Sequence, residues 1–462
     1  MKKVAGSYRD PGGHVYVDGA KVFRTVLSPR ADDFKQILSS GIIEASVKKG
    51  FLIPSRNVST EQNCAEFEAS YIVEHDKVPY ISYPYEWGFD MLKSAALFHL
   101  EFQMFLMERD YTLSDATAYN IQFVGSKPVF IDLLSIIPYQ EGALWVGYYQ
   151  YLEQFLNPLL LTALKGIPFN DWYRGSLEGI PTSDLLATLS IKQKLNWRVL
   201  LFLSLYVKTD KKLLDSSDKE KIVKGSQKGV SKKSLMSILI QLHAWISKLS
   251  SPIKSSAWGE YAGNNTYEDA ERDEKKLAIE KFSERNKIET LIDLGCNSGD
   301  YSEASIRGGA KTVIGFDFDH VALNLARARS LAKDLPYLPL WLNAANPSPS
   351  QGWRETERDS FGARFTADAV IALAFEHHLA IAKNIPLPDV VAWITSIAPI
   401  GIIEFVPKED ETVQQMLQSR EDIFSEYSEE NFEKILAKDC EIISKQKVSN
   451  SGRTLYEFKR SS

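Results

Sequence analysis

Two constellations in this 462-residue chain have the residue types and the spacing for chemistry. The first is "LSDATAYNIQFVGSKPVFID", from Leu113 to Asp132. Asp115 precedes Asn120 by five positions, and Asp132 follows Asn120 by twelve, at the end of an apolar run. An acid to orient an attacking hydroxyl, then an amide and a second acid offering oxygens to Mg²⁺, is the set that moves a phosphoryl group. The second is "LIDLGCNSGDYS", in which Asp293, Gly295 and Gly299 surround a turn between an apolar run and a helical one. Asp317 stands 20 residues after Asn297, at the end of the next apolar run.

The second constellation reads as a ligand cradle. Gly295, Cys296, Asn297 and Gly299 form the turn. Glycine permits close backbone approach, and Asn accepts the unusual backbone angles of such turns. A pyrophosphate prefers a Gly-x-Gly-x-x-Gly turn without a carboxylate in its approach. Here Asp293 lies in that approach, which suits a cationic ligand. Asp317 at the end of the second strand can accept hydrogen bonds from ribose hydroxyls, with Asp319 as the competing choice; Phe318 beside it can pack on a base. Asn343, at the end of "LPLWLN", offers an amide oxygen to an exocyclic amine.

The reacting groups should lie beyond the carboxyl ends of the strands. "ADAVIALAFEHHL" places Glu376, His377 and His378 there, and "IIEFVPKED" brings Glu404 to the same mouth. A histidine near neutral pH is a suitable base for an oxygen or nitrogen nucleophile. The pair could equally pack or cap a helix, and Glu404 could simply pair with a lysine.

These residues need elements to hold them. "GHVYVDGAKVFRTV" alternates around Asp18-Gly19 as a hairpin, "ADDFKQILSSGIIEASVKKG" has helical spacing, and "YIVEHDKVPYISYPYEW" reads as two short strands. From Gly88 a long amphipathic helix is expected, and mostly helical segments follow Asp132. A small sheet lobe (1–87) and a helical lobe (88–250) make an α+β bilobal domain. The Ser-, Gly- and Asn-rich residues 251–266 read as a linker, and the Lys-rich run from Val207 to Ser234 as a solvated surface or a phosphate- or membrane-facing patch. From 267 to 462 short apolar runs alternate with helical ones, and "CEIISKQKV" and "RTLYEFKR" flank "SNSG" as a terminal hairpin. This is an α/β fold, a mostly parallel seven-stranded sheet closed by an antiparallel hairpin.

Composition narrows the classes. A net charge of −6 argues against nucleic acid as a partner. Three scattered cysteines, Cys64, Cys296 and Cys440, suit a reducing cytoplasm better than a disulfide framework or a zinc site. The basic start lacks an apolar signal region, and no run reaches membrane-spanning length. Oligomeric state is not written in any motif.

The motifs resemble known families. Acid-x-Gly-x-x-x-Gly on a first strand is similar to the first motif of class I S-adenosylmethionine (SAM) methyltransferases, which have a Rossmann-like fold. That resemblance implies SAM as cofactor, with Asp293 toward its ammonium, often through water, Asp317 on its ribose and Asn343 near its adenine. "DLGCNSGDYS", "NPSPSQGW", "ALAFEHHLAIAKNIPL" and "IEFVPKEDETVQQML", with the upstream "LSDATAYNIQFVGSKPVFIDLLSI", look like a bacterial methyltransferase family that includes nodulation-associated members. It implies a methyltransferase and suggests a carbohydrate or glycolipid acceptor. The Asp115, Asn120 and Asp132 spacing resembles kinases and sugar phosphotransferases, which implies Mg-ATP, with Asp115 as base and Asn120 and Asp132 on Mg²⁺. A Gly-rich phosphate loop and a Val-Ala-Ile-Lys strand are missing, leaving Arg24, Lys48 or Lys49 as phosphate-pairing candidates. A bifunctional kinase–methyltransferase, an acceptor-recognising N-terminal region and a non-enzymatic scaffold all remain open on the sequence.

Overall fold

The computed structural model describes residues 1–143, 145–204, 230–253, 269–365, 367–418 and 420–461. Most of the Lys-rich run and most of the 251–266 connection lie outside them. The chain divides into two units: 1–123, 128–252 and 350–358 in the first, and 124–127, 253–349 and 359–462 in the second.

The first unit opens with five antiparallel strands in the order β1-β2-β3-β5-β4. They are β1 (Lys2–Lys3), β2 (Val15–Asp18), β3 (Lys21–Val26), β4 (Ser55–Asn57) and β5 (Tyr71–Asp76). The β2–β3 hairpin turns at Gly19, which has a left-handed φ of +57°. The expected helical stretch is two helices, Ala31–Ser40 and Ile42–Lys48, broken at Gly41 with φ +73°. Only one of the two strands expected over 71–87 forms. Beyond β5, the main-chain N–H of Ser82 donates to the Gln122 amide oxygen (2.9 Å), and Gln122 Nε2 donates back to the Ser82 carbonyl (3.0 Å). A buried side-chain amide replaces the missing strand partner.

The helix Phe89–Met107 follows where expected, and its less buried residues Asp90, Lys93, Ser94, Leu97, Glu101 and Met104 recur at three- to four-residue spacing as one stripe opposite a broad buried face. Phe51, Phe98, Phe102 and Phe105 pack against one another around it. β6 (Tyr111–Leu113) pairs with β9 (Ile136–Pro138), and β7 (Ile121–Val124) with β8 (Lys127–Phe130). Segment 350–358, read from sequence as part of the C-terminal domain, belongs to the first unit. Glu357 accepts from Arg9 Nε at 2.6 Å, and the Arg358 guanidinium lies 4.2 Å from the Tyr119 ring centre.

The second unit is a seven-stranded sheet in the order β12-β11-β10-β13-β14-β16-β15. Its strands are β10 (Thr290–Leu294), β11 (Thr312–Asp317), β12 (Tyr337–Trp341), β13 (Ala369–Ala372), β14 (Ile400–Phe405), β15 (Cys440–Lys447) and β16 (Thr454–Arg460). β10 to β14 are parallel, while β16 runs antiparallel between β14 and β15. This is the Rossmann-like arrangement of class I methyltransferases, with its terminal hairpin. Strand order reverses between β10 and β13, so the ligand crevice of such a sheet opens beyond Leu294 and Ala372.

Candidate functional site

The turn after β10 is held from three directions. Gly295 and Gly299 take left-handed φ values of +74° and +83°, and Asn297 adopts +45°. A Cβ on Gly299 would lie 2.7 Å from the Tyr337 ring, so the tyrosine that starts β12 packs directly against the turn. A Cβ on Gly295 would meet the Phe375 ring at 3.0 Å. The Gly295 and Cys296 amides donate to the Phe316 carbonyl at 2.8 and 3.1 Å, tying the turn to β11. Cys296 itself is buried.

Asp317 closes β11 and accepts from main-chain N–H groups, among them Asn297 to Oδ2 at 2.8 Å and Asp319 to Oδ1 at 2.9 Å. Each carboxylate oxygen retains a lone pair for a ligand hydroxyl. Asp319, the competing choice, is spent as a helix cap, accepting from Val321 and Ala322 N–H at the start of His320–Ala332. Phe318, next to Asp317, is 53% exposed. Asn343 lies two residues past β12, and its Oδ1 accepts from Ala345 N–H at 3.2 Å. Asp293 is buried, with Oδ2 accepting from Ser302 Oγ at 2.6 Å. That bond directs this acid to the helix Asp300–Arg307 instead of standing open at the turn. Burial raises the pKa of Asp293 to about 7 and that of Asp317 to about 6.

The strand ends hold a second polar group. Glu376 and His377 are buried just beyond β13. Glu376 Oε1 accepts from Val406 N–H at 3.0 Å and lies 2.8 Å from the Tyr427 hydroxyl. Glu376 Oε2 stands 3.5 Å from His377 Nδ1, and neither His377 nitrogen has a hydrogen-bond partner among the described residues. The His377 and His378 rings are 4.2 Å apart, and burial, with His377 adding to it, depresses the His378 pKa to about 2. The two histidines of the pair differ: burial keeps His378 neutral, and His377 has the Glu376 carboxylate 3.5 Å from Nδ1. Glu404 meets Lys275 Nζ at 2.5 Å with both side chains buried. The simpler sequence alternative for Glu404 is thus the one realised, a lysine pair. Arg453, which bonds Asp410 through Nε (2.6 Å) and Nη2 (2.8 Å), comes within 3.9 Å of Glu404.

In the first unit, folding brings Asp115, Asn120 and Asp132 together. Asn120 Nδ2 donates to Asp115 Oδ1 at 3.0 Å and to Asp132 Oδ2 at 3.2 Å, and Ser135 Oγ donates to both acids. Arg24 on β3, one of three phosphate-pairing candidates, pairs with Asp132 and with Asp10 (3.3 Å). Its guanidinium occupies the space beside Asp132 where a divalent cation was expected. Burial raises the Asp115 pKa and, with Arg24 adding to it, lowers that of His75 to about 3. Among the described residues no group of three His, Cys, Asp or Glu side chains stands ready for a metal.

Sequence reasoning missed Lys275, Tyr427, Arg453, Asp410 and Tyr337. Lys275 lies in "DAERDEKKLAIEKFSERN", where nothing separates it from its charged neighbours. Tyr427 and Asp410 belong to no motif. Tyr337 starts an apolar strand and reads simply as core.

No family model matches the chain. Nodulation protein NoeA of Rhizobium meliloti (strain 1021) is 45% identical over 461 residues, spanning 99% of this chain and 96% of that protein. The crystal structure of WbdD is 17% identical over 47% of this chain, with a TM-score of 0.31; this chain spans 46% of its length. N-methyltransferase NodS from Bradyrhizobium japonicum WM9 is 12% identical, covering 42% of this chain and 99% of NodS, with a TM-score of 0.30. An S-adenosylmethionine-dependent methyltransferase from Clostridium acetobutylicum ATCC 824 is 12% identical, covering 44% of this chain and 96% of that one, with a TM-score of 0.31. It is the sheet order and register, and not these low scores, that define the fold of the second unit.

Proposed function

The chain belongs to the family of nodulation protein NoeA, and we propose that it is a SAM-dependent methyltransferase acting on a carbohydrate or glycolipid acceptor. One observation carries the reading. Asp317 and the glycine turn are locked together by the Asn297 N–H bond, with acceptor capacity left over. That is a site for ribose hydroxyls next to a backbone that a ligand can approach closely.

The electrostatics support the same ligand. Asp317 is a buried acid with a raised pKa, so a cation nearby would stabilise its ionised form, and Asp293, turned toward Ser302, adds its charge from behind the turn. SAM carries an ammonium and, when bound, supplies a methyl group activated on a sulfonium. Asp317 would hold its ribose, Phe318 and Asn343 would lie toward its adenine, and the turn from Gly295 to Gly299 would carry its amino-acid end.

For the acceptor, His377 would take the proton from a hydroxyl or amine as its oxygen or nitrogen bonds the methyl carbon, the S–CH3 bond breaking to leave a neutral thioether. Glu376 Oε2, 3.5 Å from Nδ1, would favour the imidazolium that results. Glu404, neutralised by Lys275, holds the shape of the strand ends. The first unit would recognise the acceptor through the polar cluster of Asp115, Asn120 and Asp132.

Calorimetry tests the cofactor. Wild-type protein should bind SAM, and Asp317→Ala and Gly295→Arg should each lose most of that affinity; unchanged affinity in both sinks the reading. A second reading, a bifunctional kinase–methyltransferase, is favoured by the assembly of Asp115, Asn120 and Asp132 around one another. It requires Mg²⁺-dependent ATP binding by the wild type that Asp132→Ala abolishes. A protein that binds SAM but turns over no acceptor from a carbohydrate and glycolipid panel would leave the scaffold role.

A further inference from the structure

The first unit carries an exposed apolar face that its core does not use. Residues 191–201 include Ile191 (79% exposed), Leu195 (67%), Trp197 (56%), Leu200 (40%) and Leu201 (44%). Ile191 and Trp197 sit on two short, capped helices, Leu195 ends the first, and Leu200 and Leu201 open the helical turn that follows the second. Ser190 caps Ile191–Lys194, and Asn196 caps Trp197–Val199 by accepting from Arg198 N–H at 3.0 Å. The caps break the run so that Leu195 and Trp197 stand at its bend. Val199, Phe202 and Leu203 face inward and are buried, so the outward residues are not simply an unfolded edge. Gln193 Nε2 donates to the Leu164 carbonyl at 2.9 Å, fixing the segment to the end of the helix Asn157–Lys165.

Charge identifies the occupant. Lys192, Lys194 and Arg198 interleave with the apolar side chains, and no acid occurs between Asp184 and Asp210 in a chain whose net charge is −6. The Arg198 guanidinium lies 4.9 Å from the Trp197 ring centre. Core-facing surfaces do not alternate Lys and Arg with exposed Leu, Ile and Trp, whereas membrane-interface surfaces do. Lysine and arginine stems lie along apolar surface while their heads meet lipid phosphates, and Trp sits at headgroup depth. No helix among the described residues is long and apolar enough to cross a membrane, so the contact is with a surface.

We propose that residues 191–201 dock this protein onto an anionic lipid bilayer, Trp197 and Leu195 entering the interface and Lys192, Lys194 and Arg198 pairing with headgroup phosphates. The contact is reversible and weakens with salt.

Flotation of the full chain with phosphatidylcholine vesicles, and with vesicles containing phosphatidylglycerol, tests it. Wild type should float with the phosphatidylglycerol vesicles and stay down with phosphatidylcholine alone. Leu195→Glu/Trp197→Glu and Lys192→Glu/Arg198→Glu should each weaken the partition about tenfold or more, with unchanged circular dichroism, since Lys192, Leu195 and Trp197 are exposed and Arg198 is half-buried. Failure of the wild type to float, or flotation that both variants retain, overturns the proposal. So does a concentration-dependent dimer that Leu195→Glu/Trp197→Glu dissociates, which would assign the face to a second copy.

Discussion

The main-chain N–H of Asn297 donates to Asp317 Oδ2 at 2.8 Å. A left-handed residue in the first βα turn is thereby tied to the acid that ends the neighbouring strand. The turn's shape and the acid's position cannot change independently, which is what a preformed ligand cradle requires.

The pH response of that cradle has a definite sign. Asp293 and Asp317 have folded pKa values of about 7 and about 6, above the ordinary carboxylate range. The native state therefore holds protons that the unfolded chain releases. Their contribution to stability is present at low pH and is lost as pH rises through those values. Affinity for cationic SAM runs the other way, because it gains from ionised acids. Unliganded stability of the second unit should fall between about pH 4 and about pH 7, while the thermal shift produced by SAM grows. Calorimetric titrations at several pH values check both trends, and a SAM affinity independent of pH contradicts the assignment of these acids.

Lys275 and Glu404 form a buried pair at 2.5 Å. Removing one partner strands a charge away from water. Lys275→Met should cost about 3–5 kcal/mol. The double variant Lys275→Met/Glu404→Leu should recover most of that loss. Denaturant unfolding of the two variants measures it; equal destabilisation by single and double variants would assign the cost to packing.

His377 and His378 should separate by function. His377→Asn is expected to lower kcat about a hundredfold or more while SAM affinity stays near wild type. His378, held neutral by burial, should tolerate Gln with full kcat. A matching loss in both variants, or a loss in SAM affinity, would make the pair a packing feature.

Arg24 holds Asp132 and Asp10 in the first unit. Arg24→Met should lower the unfolding temperature of that unit by leaving two acids facing each other, and Arg24→Met/Asp132→Asn should restore part of it. Fluorescence-detected thermal unfolding reads the effect.

Much of the second unit is legible before folding. Short apolar runs separated by helical ones define parallel strands, because only a doubly covered sheet buries them. "SNSG" between two alternating runs marks the closing hairpin. Distance from the turn points to Asp317 or Asp319, and only in the structure is Asp319 seen to cap a helix. In the first unit, spacing marks Asp115, Asn120 and Asp132 as a set, and folding brings them within hydrogen-bond reach. The strand expected after β5 is absent because a side-chain amide far along the chain satisfies its backbone.

The sequence by itself determined which local shapes are available: glycine and asparagine at left-handed positions, an acid at a strand end, alternation in strands. Those are short-range steric and hydrogen-bonding preferences, carried by neighbouring residues. Only the tertiary structure decided which acids are buried and raised, that Lys275 is 129 residues from the Glu404 it neutralises, and that Arg24 answers Asp132 across 108. Desolvation and charge pairing depend on what the rest of the chain brings within a few ångströms, and no local pattern records that.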